Sequence, residues 1–267
     1  MSTGFPPVTI PRTEARTIWS SIVDQEYELF IAFPPSYTES SSSYPVLYLL
    51  DGNALFGMVT QMVRSLQRGK QLPELIIVGI GYTTDMRGER MVLRARDYTP
   101  TELDENPDEH YELGETGGAG NFLRFLAEEL IPFIEANYRV DPADRVLAGT
   151  SLGGLFVLYT LLHRPDLFTG YVASSPALWW DNRVMFAYER ELAAKRKRLP
   201  VRAFISVGSL EEEVMAQMVS TVYQFAARLK SREYQDFDLT TVVFNDEMHQ
   251  SVIPGALSRG LRVVFRG

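Results

Sequence analysis

The six residues Gly149-Thr150-Ser151-Leu152-Gly153-Gly154 constrain this chain more than any other stretch. They separate a short apolar run, 145–148, from a longer one, 152–163, that is apolar almost all round. The first suits a buried strand of a parallel sheet, introduced by the turn-forming Asp141-Pro142-Ala143-Asp144. The second suits a core helix. A G-x-S-x-G pattern at such a strand-to-helix junction demands a very tight turn. Ser151 must then adopt a sparsely populated backbone conformation that holds its hydroxyl above the sheet edge. Gly149 and Gly153 remove the side chains that would collide in that turn. The helix N-terminus points backbone N–H groups at the space beside Ser151 Oγ. The Leu152 N–H is therefore the first donor available to a negative oxygen developing on a carbonyl under attack.

The rest of the chain supplies a frame for this turn. Runs 16–23 and 26–33 flank Asp24-Gln25 as an antiparallel hairpin at a sheet edge. From Pro45 onward strand and helix patterns alternate, which is the signature of βαβ units around a mainly parallel sheet with helices on both faces. Strands are expected at 45–50, 74–80, 145–148, 170–174, 201–207 and 238–244. Helices are expected at 55–67, 121–137, 152–163, 182–197, 210–230 and 251–264. The expectation is one α/β domain over 1–267, with reactive groups on loops at the carboxyl ends of the strands. One stretch, 81–120, breaks the alternation. It is long, polar and loop-like, the character of a substrate-pocket wall or lid.

Charge and composition remove several classes of function. A formal charge of -8 argues against a nucleic-acid surface. The one basic cluster, Lys195-Arg196-Lys197-Arg198, suits a helix C-terminus. The chain has no cysteine, which excludes disulfides, thiolate metal sites and a cysteine nucleophile. Met1 to Pro7 show neither a basic n-region nor an apolar h-region, and no apolar run approaches a membrane span. A soluble, cytoplasmic protein acting on a small molecule is the expectation, with no nucleic-acid or membrane partner.

A serine hydroxyl is a poor nucleophile at neutral pH and needs a base, which in turn needs an orienting acid. The chain has three histidines. His249 follows the last expected strand, where the chain order nucleophile, acid, histidine requires the base. His163 closes the helix that starts beside Ser151, about 18 Å away at 1.5 Å per residue. His110 lies in the polar stretch and could at most touch substrate. The acid belongs after strand 201–207, where Glu211, Glu212 and Glu213 stand in a row. Ser209 and Glu212 match a capping box and Glu213 lies deeper in the helix, which leaves Glu211. Asp246 and Glu247 share the loop of His249 and are expected to face solvent. The second oxyanion donor comes from Asp51-Gly52-Asn53-Ala54, where Gly52 permits close approach and either Asn53 or Ala54 supplies the N–H. Trp179 and Trp180 follow the strand after the elbow, as an aromatic pocket wall or as helix-packing residues.

Seen together, these blocks resemble the putative-esterase group of α/β hydrolases, which includes esterase D, feruloyl esterases, mycolyltransferases and enterochelin-type siderophore esterases. The resemblance runs over about 45–265. It is carried by LLDGNALF (49–56), RARDYTP (94–100), the run 117–145, GTSLGG, SPALWW (175–180), VGSLE (207–211) and HQSVIPGALSRGLR (249–262). It implies an α/β-hydrolase fold with Ser151 as nucleophile, Glu211 as acid and His249 as base. The blocks around RDYTP, SPALWW and HQSV are most similar to the siderophore-esterase branch, implying hydrolysis of ester bonds in an iron chelator. Arg94 and Arg96 are then the cations expected at the pocket mouth. The expected activity is ester hydrolysis through an acyl-enzyme, with acyl transfer, feruloyl or acetyl-carbohydrate esters, and a non-catalytic module of the same fold as alternatives. Neither a metal nor an organic cofactor is implied.

Overall fold

Alternating burial along Gln25–Ala32 shows a strand with one face on the core, and this strand, β2, pairs antiparallel with β1 (Thr13–Ser20) as the expected hairpin. The computed structural model describes residue 6 and residues 8–103, 114–214 and 217–266. The remaining strands are β3 (Tyr44–Leu49), β4 (Ile76–Tyr82), β5 (Val140–Thr150), β6 (Gly170–Ser174), β7 (Arg202–Gly208) and β8 (Asp238–Phe244). They form one eight-stranded sheet in the order β1-β2-β4-β3-β5-β6-β7-β8. From β4 to β8 every neighbouring pair is parallel. The central strands β4 and β6 are buried at every residue, which is why they carry continuous apolar runs instead of an alternation.

Helices cover both faces. On one, α1 (Gly52–Arg68) and α10 (Val252–Val264) bury Val59, Val63, Leu257 and Leu261 against Leu47, Ile77, Val146, Val172 and Phe204. On the other lie α2 (Arg87–Tyr98), α3 (Ala119–Phe125), α4 (Ile131–Asn137), α5 (Leu152–His163), α6 (Trp180–Arg183), α7 (Met185–Lys195) and α9 (Met218–Ser231); the short α8 (Glu211–Val214) follows β7. Helices α3 and α4 are joined by a π-type turn over Leu126–Leu130, just before Pro132, which has no N–H to continue the α-helical ladder. No helix among the described residues is long and apolar enough to cross a membrane.

Four expectations need correction. The stretch 81–120 is not all loop, because α2 occupies Arg87–Tyr98; residues 104–113, including His110, lie outside the described residues. Residues 141–144 are not a turn before the strand but an irregularity within β5, where the register steps from Tyr44↔Val140 to Val46↔Arg145. Helix 182–197 is displaced and broken: Asp181, Asn182 and Arg183 hold φ of 41°, 51° and 65° within the short α6, just before α7. Helix 210–230 is likewise divided into α8 and α9, with Gln217 at φ 58° preceding the second.

Candidate active site

Ser151 sits between β5 and α5 at φ 59°, ψ -120°, a conformation that an L-residue holds only when its surroundings fix it. Three main-chain hydrogen bonds do so. The Ser151 N–H donates to the Ser174 carbonyl at 3.0 Å, and the Ser151 carbonyl accepts from Leu155 at 2.9 Å and Ala177 at 3.2 Å. The turn closes because Gly149 has no side chain: a Cβ there would lie 2.6 Å from the carbonyl carbon and oxygen of Gly153. Ser151 Oγ makes no hydrogen bond to any described residue, an open geometry common in hydrolases before the substrate is in place.

Glu211 follows β7 and His249 follows β8, at the same sheet edge as Ser151. The Glu211 side chain is 1% exposed, and its Oε2 accepts from His249 Nδ1 at 2.6 Å. Its Oε1 accepts two further hydrogen bonds at 2.7 Å, from Ser175 Oγ and from the Gly208 N–H. Burial pushes the carboxyl pKa up, but the hydrogen bonds from His249, Ser175 and Gly208 outweigh it and hold it below the ordinary value. A carboxylate that accepts from Nδ1 requires the proton on that nitrogen, which leaves Nε2 as the basic atom. The two loops are laced together: Ser209 and Leu210 donate from their N–H groups to the carbonyls of Phe244 and Glu247, at 2.8 and 3.1 Å. Ser209 Oγ accepts the Asp246 N–H at 3.0 Å.

At the other side of the elbow, Asp51 holds φ 57° and α1 begins at Gly52. A Cβ on Gly52 would lie 2.8 to 2.9 Å from backbone atoms of Gly79 and Ile80, so only glycine lets α1 start against β4. Of the two expected donors, the Ala54 N–H is already bound to the Asp51 carbonyl at 2.9 Å. The Asn53 N–H, like that of Leu152, has no partner among the described residues. The Asn53 side chain is used differently: Nδ2 donates to the Tyr82 carbonyl at 2.9 Å and Oδ1 accepts the Tyr82 N–H at 2.7 Å.

Several expected site residues have other work. Arg94 and Arg96 do not form an open cationic mouth. Arg94 donates from Nε and Nη2 to Asp51 at 2.6 and 3.1 Å, and from Nη2 to the Thr150 carbonyl at 3.0 Å. Burial lowers the Arg94 pKa, but the Asp51 carboxylate more than reverses this and keeps the guanidinium charged. Arg96 Nε donates to Asp97 at 2.8 Å, and Asp97 also accepts from the hydroxyls of Tyr27 and Tyr82. Arg94 thus meets its carboxylate across the fold, at the residue before α1, while Arg96 pairs with the next residue of its own helix. Trp180 is fully buried, with Nε1 donating to Thr101 Oγ1 at 3.2 Å, and is a core residue. Trp179 is half-buried and packs against the same core. The expected Ser209–Glu212 capping box is absent, because Ser209 binds Asp246 and the Glu212 carboxylate accepts from Ser220 N–H and Oγ. His163 stacks on Tyr159 at the far end of α5, and burial lowers its pKa.

Two residues to which sequence reasoning assigns no role belong to this corner. Ser175, at φ 44°, holds Glu211, and its sequence signals are its place just after β6 and at the head of the SPALWW block. Asp51 joins Arg94 to the start of α1, a role visible only once α2 is placed. A groove of about 750 Å³ between α7 and α9 is lined by residues that include Arg183, Arg190 and Arg228. None of Ser151, Glu211 and His249 borders it.

The family model for putative esterases matches residues 20–242. The chain is 37% identical to the ferri-bacillibactin esterase BesA of Bacillus subtilis over 95% of its own length and 90% of that protein. It is 32% identical to the siderophore enterobactin esterase of Emericella nidulans, over 89% of each. Its fold matches that of an IroE-like serine hydrolase from Shewanella oneidensis with a TM-score of 0.82 and 30% identity, covering 95% of this chain and 80% of that one.

Proposed function

The chain belongs to the putative-esterase family of α/β hydrolases, and from that premise we propose that Ser151, His249 and Glu211 are the catalytic triad of a siderophore esterase. That the protein is a serine ester hydrolase follows from its relatives; the residue roles and the substrate are our reading. The observation that carries the roles is the buried Glu211 Oε2 to His249 Nδ1 hydrogen bond of 2.6 Å, at the same sheet edge as a serine in a strained strand-to-helix turn.

In this reading Ser151 Oγ attacks the ester carbonyl while His249 Nε2 takes its proton. The tetrahedral oxyanion accepts from the N–H groups of Leu152 and Asn53, each donor lowering the barrier by about 3 kcal/mol. His249 then gives the proton to the leaving alkoxide, which departs as the alcohol. Water hydrolyses the acyl-serine by the same proton route, and Glu211 holds the imidazole in the productive tautomer throughout. The carboxyl-side stretch that carries α2 forms a wall of the pocket, supported by the reach of Arg94 to Asp51 and the Thr150 carbonyl. The substrate class, ester-linked iron chelators, is supported by the two siderophore esterases to which the chain is similar along most of its length.

The test is hydrolysis of p-nitrophenyl butyrate and of an ester-linked catecholate siderophore, with and without iron, by the wild type and by Ser151→Ala. Both substrates are expected to turn over, and loss of the nucleophile to cut kcat by about 10⁶-fold. A wild type that cleaves the nitrophenyl ester but leaves the siderophore intact refutes the substrate class. Equal activity in the two proteins refutes Ser151.

A further inference from the structure

One charged pair beside Ser151 has no part in the proton transfers. Asp51 lies between two helix N-termini. Its carbonyl accepts the N–H groups of Ala54 and Leu55 at 2.9 and 3.0 Å, at the start of α1. Its carboxylate reaches α5, where a Cβ on Gly153 would lie 3.1 Å from Asp51 Oδ2. Arg94 grips that carboxylate through two hydrogen bonds and gives a third to the carbonyl of Thr150. Tyr98 backs the pair, with its ring 5.5 Å from the guanidinium carbon and its hydroxyl accepting the Asp51 N–H at 3.3 Å. The two side chains are only 13% and 11% exposed.

We propose that Arg94 and Asp51 are positioning residues for the oxyanion hole, tying its two donors into one frame and cancelling a carboxylate charge beneath it. The inference rests on Ser151 being the nucleophile. The two donors come from separate segments, the start of α1 and the start of α5, and each could shift without the other. Arg94 bonds to both segments at equivalent places: Asp51 is two residues before Asn53, and Thr150 is two residues before Leu152. Misplacement of a reacting group by about 1 Å can cost about 10²-fold in rate, so a rigid bridge between the donors matters. Charge makes the same demand. A bare carboxylate under a site where negative charge develops opposes the transition state, and the guanidinium removes that opposition. Only arginine can do this, because its planar fork makes all three hydrogen bonds at once.

The experiment compares full-length wild type, Arg94→Lys, Arg94→Met, Asp51→Asn and the double variant Arg94→Met/Asp51→Asn. For each, kcat and KM are measured on p-nitrophenyl butyrate, together with inhibition by an alkylboronic acid, which forms a tetrahedral adduct on the nucleophile. Arg94→Lys is expected to lower kcat by about 10²-fold to 10³-fold, with KM within about twofold of wild type. Boronic-acid affinity should fall in step with kcat/KM, a pattern that general loosening of the fold does not give. The double variant should recover about tenfold in kcat over Arg94→Met, because the unneutralised carboxylate is gone. If Arg94→Met does not fold, the double variant is set aside and Arg94→Lys with Asp51→Asn decides. In that case Asp51→Asn, which leaves a cation and no bare carboxylate, should lose less kcat than Arg94→Lys. Arg94→Lys with kcat within threefold of wild type, or unchanged boronic-acid affinity in a slow variant, overturns the inference. A Ser151→Ala protein that keeps its activity overturns the nucleophile instead, so the two failures are distinct.

Discussion

The nucleophile and its base stand at one edge of the same sheet, yet they are held by different forces. On the nucleophile side, α5 is buried over nearly its whole length. Phe156 packs within 5.0 Å of Phe122 and 5.8 Å of Tyr98, ring centre to ring centre. On the acid–base side, β8 is an edge strand without a fully buried residue, and Asn245, Asp246 and Met248 of its following loop are exposed. His249 is aimed by polar bonds: Glu211 to its ring, and Ser209 and Leu210 to its loop. Packing over-determines one partner, whereas a few directional hydrogen bonds determine the other. Changes on the first side should therefore act through stability, and changes on the second through rate as well.

The largest effect expected in this contrast comes from Glu211→Gln. The amide keeps the shape but no longer fixes the imidazole proton on Nδ1, so kcat per folded molecule should fall by about 10⁴-fold. Steady-state kinetics check this, with a melting curve to fix the folded fraction. A loss below tenfold would show that another group orients His249, and the acid–base side would no longer rest on this carboxylate.

Phe156→Ala tests the other side. Removing a fully buried ring should cost about 3 to 5 kcal/mol of unfolding free energy, read from denaturant midpoints. The kcat per folded, titratable active site should stay within a few-fold of wild type. Should kcat drop in proportion to stability, the elbow is not independent of its apolar support and the contrast fails.

The same contrast explains what could be read from the sequence. Strand 170–174 and helix 152–163 match β6 and α5 at both ends, because apolar runs bounded by turn residues report directly on burial; strand 238–244 matches β8 through its β-branched Thr240 to Val243. The elbow was legible because its chemistry demands glycine at 149, where the structure leaves no room for a Cβ. Helix α2 was not legible. Its Met91, Ala95 and Tyr98 recur at helical spacing, but six of its twelve residues are charged, so this short repeat is hidden within a polar stretch. Arg94 reads as a free cation because its carboxylate partner Asp51 is assigned only by the fold, whereas Arg96 pairs with its own sequence neighbour Asp97. The S-x-x-E pattern gives Glu212 a capping role and so points to Glu211 as the acid, whereas the structure engages Glu212 with Ser220. Trp180 shows the converse limit, since an aromatic pair after a strand fits a core as readily as a pocket.

The smallest expected effect isolates one bond on the polar side. Ser175→Ala removes one of three hydrogen bonds to the Glu211 carboxylate and leaves those from His249 and Gly208. A hydrogen bond to a charged group contributes about 1.5 to 3 kcal/mol. The Glu211 pKa is lowered from its reference of 4.5 in the folded state. A depressed folded pKa means that the carboxylate's contribution to stability is complete above the unfolded pKa and is lost as pH falls through the folded one. Without Ser175 the folded pKa rises, and part of that contribution is absent at neutral pH. The thermal midpoint of Ser175→Ala should therefore lie furthest below that of wild type near pH 7. The gap should narrow as pH drops below about 4.5, where protonation removes the carboxylate from both proteins. A gap that stays constant over this range would mean that Ser175 stabilises the loop after β6 by packing and not through the charge of Glu211.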